Sequence, residues 1–223
     1  MELAKRMGRL GTETAFEVLA KARKLESEGK DVIHLEIGEP DFDTPQNIIK
    51  EASRALENGF THYGPSPGSV DLRSTIAEEI SATRGIDVSG DNVVVTPGGK
   101  PIMFFAILAL VDEGDEVLYP NPGFPIYESM INFVGGVPVP MRLYESKDFN
   151  INIEEVANQV TERTKLIIVN SPNNPCGSVI DKEGLRSIAK IAKENDILVL
   201  SDEIYSRFLY GGQHHLSLIH ISE

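Results

Sequence analysis

The sequence predicts an α/β protein built on a mostly parallel β-sheet with helices covering both faces. Three observations carry that expectation. Short, nearly continuous apolar runs recur along the chain: "VVVT" (93–96), "EVLY" (116–119), "VPVPM" (137–141), "LIIV" (166–169) and "ILVLS" (197–201). Helical patterns separate most of them, notably Pro101–Val111 and Asp181–Glu194. Strands apolar on both faces and joined through helices make a parallel sheet buried on both sides. The third observation is that three of the runs are followed by residues capable of chemistry. In sheets of this kind ligands bind beyond the carboxyl ends of the strands.

The elements ahead of the sheet follow in order. Ala15, Val18, Leu19, Ala22 and Leu25 recur at helical spacing, and Gly29 ends the pattern. "VIHLEIGEPDFDTP" reads as a short extended segment entering a turn-rich loop. Thr44-Pro45 opens a second helix, with Thr as N-cap and Pro in the first position, and Gly59 lies just past its end. Ser69 to Arg84 is a third amphipathic helix, closed by Gly85. The run "IMFFAILALV" reads as the buried face of a helix. No internal repeat is visible.

A length of 223 residues suits one large α/β domain, or a domain with a smaller appendage. The net charge of −13 argues against nucleic acid or an anionic membrane as partner, since both need clustered Lys and Arg. It leaves room for a phosphate-bearing cofactor, because backbone N–H groups at a helix start can hold one anion. The single cysteine, Cys176, excludes an intramolecular disulfide and suits a reducing compartment. The charged start shows no signal-peptide pattern, and no apolar run approaches membrane-spanning length. A soluble, cytoplasmic protein is expected.

Three stretches carry the chemistry. In "TPGGKPIMFF" two glycines permit close backbone approach to a ligand just ahead of a helix start. It is not a phosphate loop of the Walker type: Val94 stands five before Gly99, and Pro101 follows Lys100. No G-x-G-x-x-G follows any strand, so a dinucleotide site has no support. Its plain alternative is a glycine-containing strand-to-helix turn. "NSPNNPCGSV" is a turn-rich loop whose Asn side chains can both donate and accept hydrogen bonds, or simply a turn. Cys176 within it has no His or cation beside it in sequence and reads as an inert thiol. "SDEIY" places Asp202 at a strand end with Tyr205 three residues on; the alternative is an acidic helix cap with an amphipathic tyrosine. His214-His215 lack a third ligand at metal spacing, so no metal is expected.

Taken together, "GEPDFDTP", "HYGPSPGSVDLR", "VVVTPGGKPIMFF", "NPGFPIY", "NSPNNPCG" and "SDEIY" stand in the order and spacing of the class I/II aminotransferases. These are pyridoxal-phosphate (PLP) enzymes of fold type I, the aspartate-aminotransferase-like group, and the resemblance covers about residues 10 to 215. It implies a PLP-dependent transfer of an amino group from an amino acid to a 2-oxo acid, in a homodimer. By the same resemblance Gly38 is the residue whose backbone N–H meets the substrate carboxylate. Tyr63 reaches the cofactor phosphate of the neighbouring subunit, and Gly99 and Lys100 cradle the phosphate of their own. Phe124 stacks on the pyridine ring, Asn174 and Tyr205 meet its phenolic oxygen, and Asp202 pairs with its nitrogen. Cys176 stands where the family usually has Thr, and Phe124 where Trp is commoner.

The resemblance also implies an absence. The family's Schiff-base lysine lies beyond "SDEIY" in an S-x-S/T-K motif, and the 18 residues after Tyr205 contain no lysine. No catalytic residue is therefore assigned within the chain. Lys182, Lys190 and Lys193 belong to a surface helix pattern and do not replace it. The expected organisation is an N-terminal arm and small-domain segment over 1–40, an incomplete PLP-binding large domain over 41–215, and a non-native tail over 216–223. Such a fragment is expected to be inactive by itself. A PLP-dependent lyase or decarboxylase of the same fold is the nearest alternative. An aminotransferase-like effector domain of a transcription regulator is the other; it would need a helix-turn-helix module ahead of "GEPDF".

Overall fold

The computed structural model describes residues 2–11 and 14–220. Its helices and strands run α1 (Thr14–Ser27), α2 (Gln46–Glu57), α3 (Val70–Arg84), α4 (Lys100–Leu110), β1 (Glu116–Asn121), α5 (Ile126–Val134), β2 (Val137–Arg142), α6 (Ile153–Gln159), β3 (Thr164–Asn170), α7 (Lys182–Glu194) and β4 (Leu198–Asp202). Among these, no helix is long and apolar enough to cross a membrane.

The strands form one sheet in the order β2-β1-β3-β4, every pair parallel. From β1 the chain steps through α5 to β2, crosses back over β1 through α6 to β3, and continues through α7 to β4. Crossovers between parallel strands have a fixed hand, so reversing the direction of travel moves the helices to the opposite face. The packing follows that rule. Val117, Tyr119, Leu166 and Ile168 pack with Met103 and Ile107 of α4 and with Tyr127, Met130 and Ile131 of α5. Leu118, Ile167 and Val169, the alternate residues of the same strands, pack with Val156 of α6 and Leu185, Ile188 and Ala192 of α7. Continuous apolar runs are thus split residue by residue between two cores.

Local signals fix several helix ends as expected. Ser69 Oγ accepts from Leu72 N at 3.4 Å, and Gly85 closes α3 with φ +67°. Asp181 Oδ1 accepts from Gly184 N at 2.7 Å at the start of α7.

Three expectations are corrected. The run 93–96 lies in no sheet among the described residues; Val95 N donates to Pro67 O, and Val94 is 66% exposed. β-propensity becomes a strand only where a neighbour completes the ladder. Thr44 caps nothing: Pro45 itself is the N-cap of α2 and no side chain accepts there. The α4 run is buried along one side only, at Met103 and Ile107, while Ile102, Phe105 and Leu108 on its other side are exposed. α4 is apolar all round but has the sheet and α5 on one flank alone. As for 216–223, Leu216 and Leu218 pack against the α7-side core, and 221–223 lie outside the described residues.

Before α3 the chain buries little. Ile33 and Leu35 are 85% and 90% exposed, and α2 buries no residue. This stretch is tied back to α1 by His34, whose Nε2 lies 2.9 Å from Glu26 Oε1 and whose Nδ1 lies 2.6 Å from Glu36 Oε1.

Two predictions follow from this packing. Truncating the fully buried Leu118 to Ala should destabilise the fold by about 2–5 kcal/mol in denaturant titrations, whereas the same change at exposed Leu35 should stay within about 0.5 kcal/mol. The carboxylates of Glu26 and then Glu36 raise the pKa of His34 above its ordinary 6.5. Because the folded value is the higher one, the contact contributes stability below pH 6.5 that is lost as pH rises through the folded pKa. NMR titration of His34 should give a midpoint above 6.5, lowered by Glu26→Gln; an unshifted midpoint would contradict the double contact.

Candidate active site

The strand order reverses between β1 and β3, and in doubly wound sheets ligands bind at the carboxyl ends of the strands beside such a reversal. Three adjacent strands, β1, β3 and β4, deliver residues there. Asn170 and Asp202 are register partners at the ends of β3 and β4. Leu200 packs with the α4–α5 core, so Asp202, two residues on, points to the same face. There Tyr127 of α5 donates its hydroxyl to Asp202 Oδ2 at 2.6 Å, and Ile204 N donates to Oδ1 at 3.2 Å.

Tyr127 is fully buried. Burial first, then the charge of Asp202 and the hydrogen bond to it, and finally Tyr205 push the Tyr127 phenol well above the ordinary tyrosine pKa. It therefore remains a proton donor to Asp202 at any working pH. Phe124, in the turn after β1, meets Tyr127 edge to face with ring centroids 5.9 Å apart. Tyr205 lies in the turn after β4, edge to face with Phe208 at 6.0 Å.

Asn170 joins the loop after β3 to this cluster. Its Nδ2 donates to Asp202 O at 3.1 Å and Pro172 O at 3.3 Å, and its Oδ1 accepts from Asn174 N at 2.7 Å. Asn174 is thereby held by its backbone, and its own side-chain amide makes no hydrogen bond among the described residues. Asn173 Oδ1 accepts from Cys176 N, and partial burial raises the Cys176 thiol pKa. The thiolate is disfavoured, consistent with an unreactive cysteine.

The structure thus brings together Asp202, Tyr205, Asn174 and Phe124 from the residues singled out in the sequence. Gly99 and Lys100 sit at the start of α4, with Gly98 at φ +93° and open space around the Cβ position of Gly99. Lys100 Nζ stands 5.3 Å over the ring of Phe16. Gly38 and Tyr63 lie at the surface, Tyr63 fully exposed, with no described contact to the cluster. Two cluster members were not singled out. Asn170 had a sequence signal, as the polar residue ending an apolar run. Tyr127 had only its place at the end of "NPGFPIY"; its partner, 75 residues away, was not legible.

The family model for class I and II aminotransferases matches residues 30–222. The chain is 44% identical over 209 residues to the Aquifex aeolicus protein named probable aspartate/prephenate aminotransferase, covering 94% of this chain and 53% of that one. It is 43% identical over 211 residues to the Methanocaldococcus jannaschii (5-formylfuran-3-yl)methyl phosphate transaminase, covering 95% and 54%. Among solved structures, Thermus thermophilus aspartate aminotransferase with maleate superposes with a TM-score of 0.95 at 39% identity, over 100% of this chain and 58% of that one. The chain spans about half the length of the curated relatives it matches. With its parallel sheet, its strand-end cluster and these matches agreeing, the chain belongs to the class I and II aminotransferase family.

Proposed function

We propose that the protein carrying this sequence is a PLP-dependent aminotransferase that moves the amino group of an amino acid to a 2-oxo acid. The observation that carries the reading is the Asp202 carboxylate, fixed by Tyr127 and Ile204 N, with the half-buried ring of Phe124 edge to face against Tyr127. The family generally works with PLP. The residues present fit that group. A carboxylate offers about four acceptor positions, and the described donors to Asp202 use two, leaving room for a ring N–H. The glycine-led start of α4 offers a helix N-terminus without side-chain bulk for a phosphate.

When bound, PLP supplies an electron sink that is strong only while its ring nitrogen is protonated. In this reading Asp202 holds that proton in place, because a neighbouring carboxylate favours the charged form of a base. Tyr127 keeps Asp202 oriented, and Phe124 covers one face of the ring. Asn174 and Tyr205 donate to the phenolic oxygen, Gly99 and Lys100 hold the phosphate, and Gly38 N–H meets the substrate carboxylate. Residues 41–215 form the cofactor-binding part and 1–40 an arm beside it. A homodimer completes the proposal: Tyr63 and the apolar side of α4 at Ile102, Phe105 and Leu108 stand exposed, as surfaces awaiting a second copy do. A cytoplasmic setting suits the lone thiol Cys176. The substrate is named only as a class, because relatives of 44% and 43% identity carry different substrate names.

The test uses the full-length protein that carries this segment, supplied with PLP and pairs of ¹⁵N-labelled amino acid and 2-oxo acid. Transfer of label to the oxo acid is expected, and its absence across a broad panel of pairs would overturn the proposal. Asp202→Asn should lower kcat/KM by about 100-fold or more, the scale of losing one preorganised electrostatic partner. Tyr127→Phe should weaken PLP binding by about 10-fold, corresponding to one hydrogen bond to a charged group. Light scattering should report a dimer; a fully active monomer would remove the assigned role of Tyr63.

A further inference from the structure

Glu203 follows Asp202 but points the other way, and its surroundings are as specific as those of Asp202. Its Oε2 lies 3.0 Å from Arg84 Nη2 at the end of α3, with both side chains only 17% exposed. The same oxygen is 3.2 Å from Nε2 of His215, an ion-pair distance but outside hydrogen-bond alignment, since neither ring nitrogen of that buried His makes a hydrogen bond. Oε1 accepts from Ser201 Oγ at 3.0 Å and from Ser217 Oγ. One carboxylate therefore gathers α3, the end of β4 and the segment 215–217. Burial acts to raise the Glu203 pKa, but Ser217, His215, Arg84 and Ser201 outweigh it and hold the group below the ordinary carboxylate value. It is an anion in neutral solution.

Nothing in the proposed chemistry uses this anion. A half-buried charge with several partners is costly to assemble and strongly destabilising to leave half-made. Its position gives it a use. Residues 201, 202 and 203 alternate across the strand end, so Ser201 and Glu203 anchor one face while Asp202 points into the site on the other. We infer that Glu203, held by Arg84, is a positioning residue that fixes the backbone of the β4 end and so aims Asp202 at the cofactor. The inference rests on the proposed PLP site. Glu203 touches no reacting group and acts only through Asp202.

The experiment is a PLP titration, followed by absorbance, of the full-length protein in two backgrounds. Glu203→Gln keeps the shape and removes the charge. It should raise the Kd for PLP about tenfold when Asp202 is present, and less than about twofold in an Asp202→Asn background, because a residue acting through Asp202 has nothing further to lose. Arg84→Gln should give the same pattern and serves if Glu203→Gln does not fold, as judged by circular dichroism. Equal losses in both backgrounds would show a general structural role and overturn the inference while leaving the PLP reading intact. Unchanged affinity in both variants with Asp202 present would overturn it equally. A wild-type protein that binds no PLP would overturn the functional reading and this inference with it.

Discussion

The parallel pairing of β3 with β4, which sets Asn170 opposite Asp202, is the constraint on which the rest of the site hangs. At the end of a ladder the backbone runs out of strand partners, and buried polar groups there must find others. Asn170, only 2% exposed, supplies them through one amide: a donor to Asp202 O and Pro172 O, and an acceptor for Asn174 N. The loop after β3 is thereby fixed to the end of β4. A one-residue slip in that register would separate Asn170 from Asp202 and turn every β4 side chain to the wrong face.

The period of two does the remaining work. It sends Leu200 and Asp202 toward α4 and α5, where Tyr127 waits in a fully buried position, and Val199, Ser201 and Glu203 toward the α7 side. The same alternation that sorts apolar residues into two cores therefore sorts two adjacent carboxylates into two environments. Asp202 meets a neutral phenol and a backbone N–H, and keeps acceptor capacity for a ligand. Glu203 meets a guanidinium, an imidazole and two hydroxyls, which leave it little to offer. Neighbours in sequence differ in use because they are not neighbours in space.

Outside the two cores the chain is held far more lightly. Between α1 and α3, Ile33, Leu35, Phe42 and Phe60 are exposed, and His34 ties the stretch to nearby Glu26 and Glu36. α4 shows both conditions within one helix, with Met103 and Ile107 in the core and Phe105 in the open.

The sequence by itself determined the parallel α/β class, four of the five strands, the helix ends near Ser69, Gly85 and Asp181, and the placing of Asp202 at one strand end and of Asn174 in the loop after another. These are local properties: apolar runs, turn residues and side chains that hydrogen-bond within three or four positions. Only the tertiary structure decided the rest. "VVVT" has the composition of a strand, yet without a neighbour to complete its hydrogen bonds it stays outside the sheet. α4 has the composition of a buried helix, but what packs on each side of it is settled by chain placement. Tyr127 reaches Asp202 across 75 residues, and Arg84 reaches Glu203 from another helix. Such pairs are fixed by strand order and register, which bring distant segments within hydrogen-bond range and leave no local trace in the sequence.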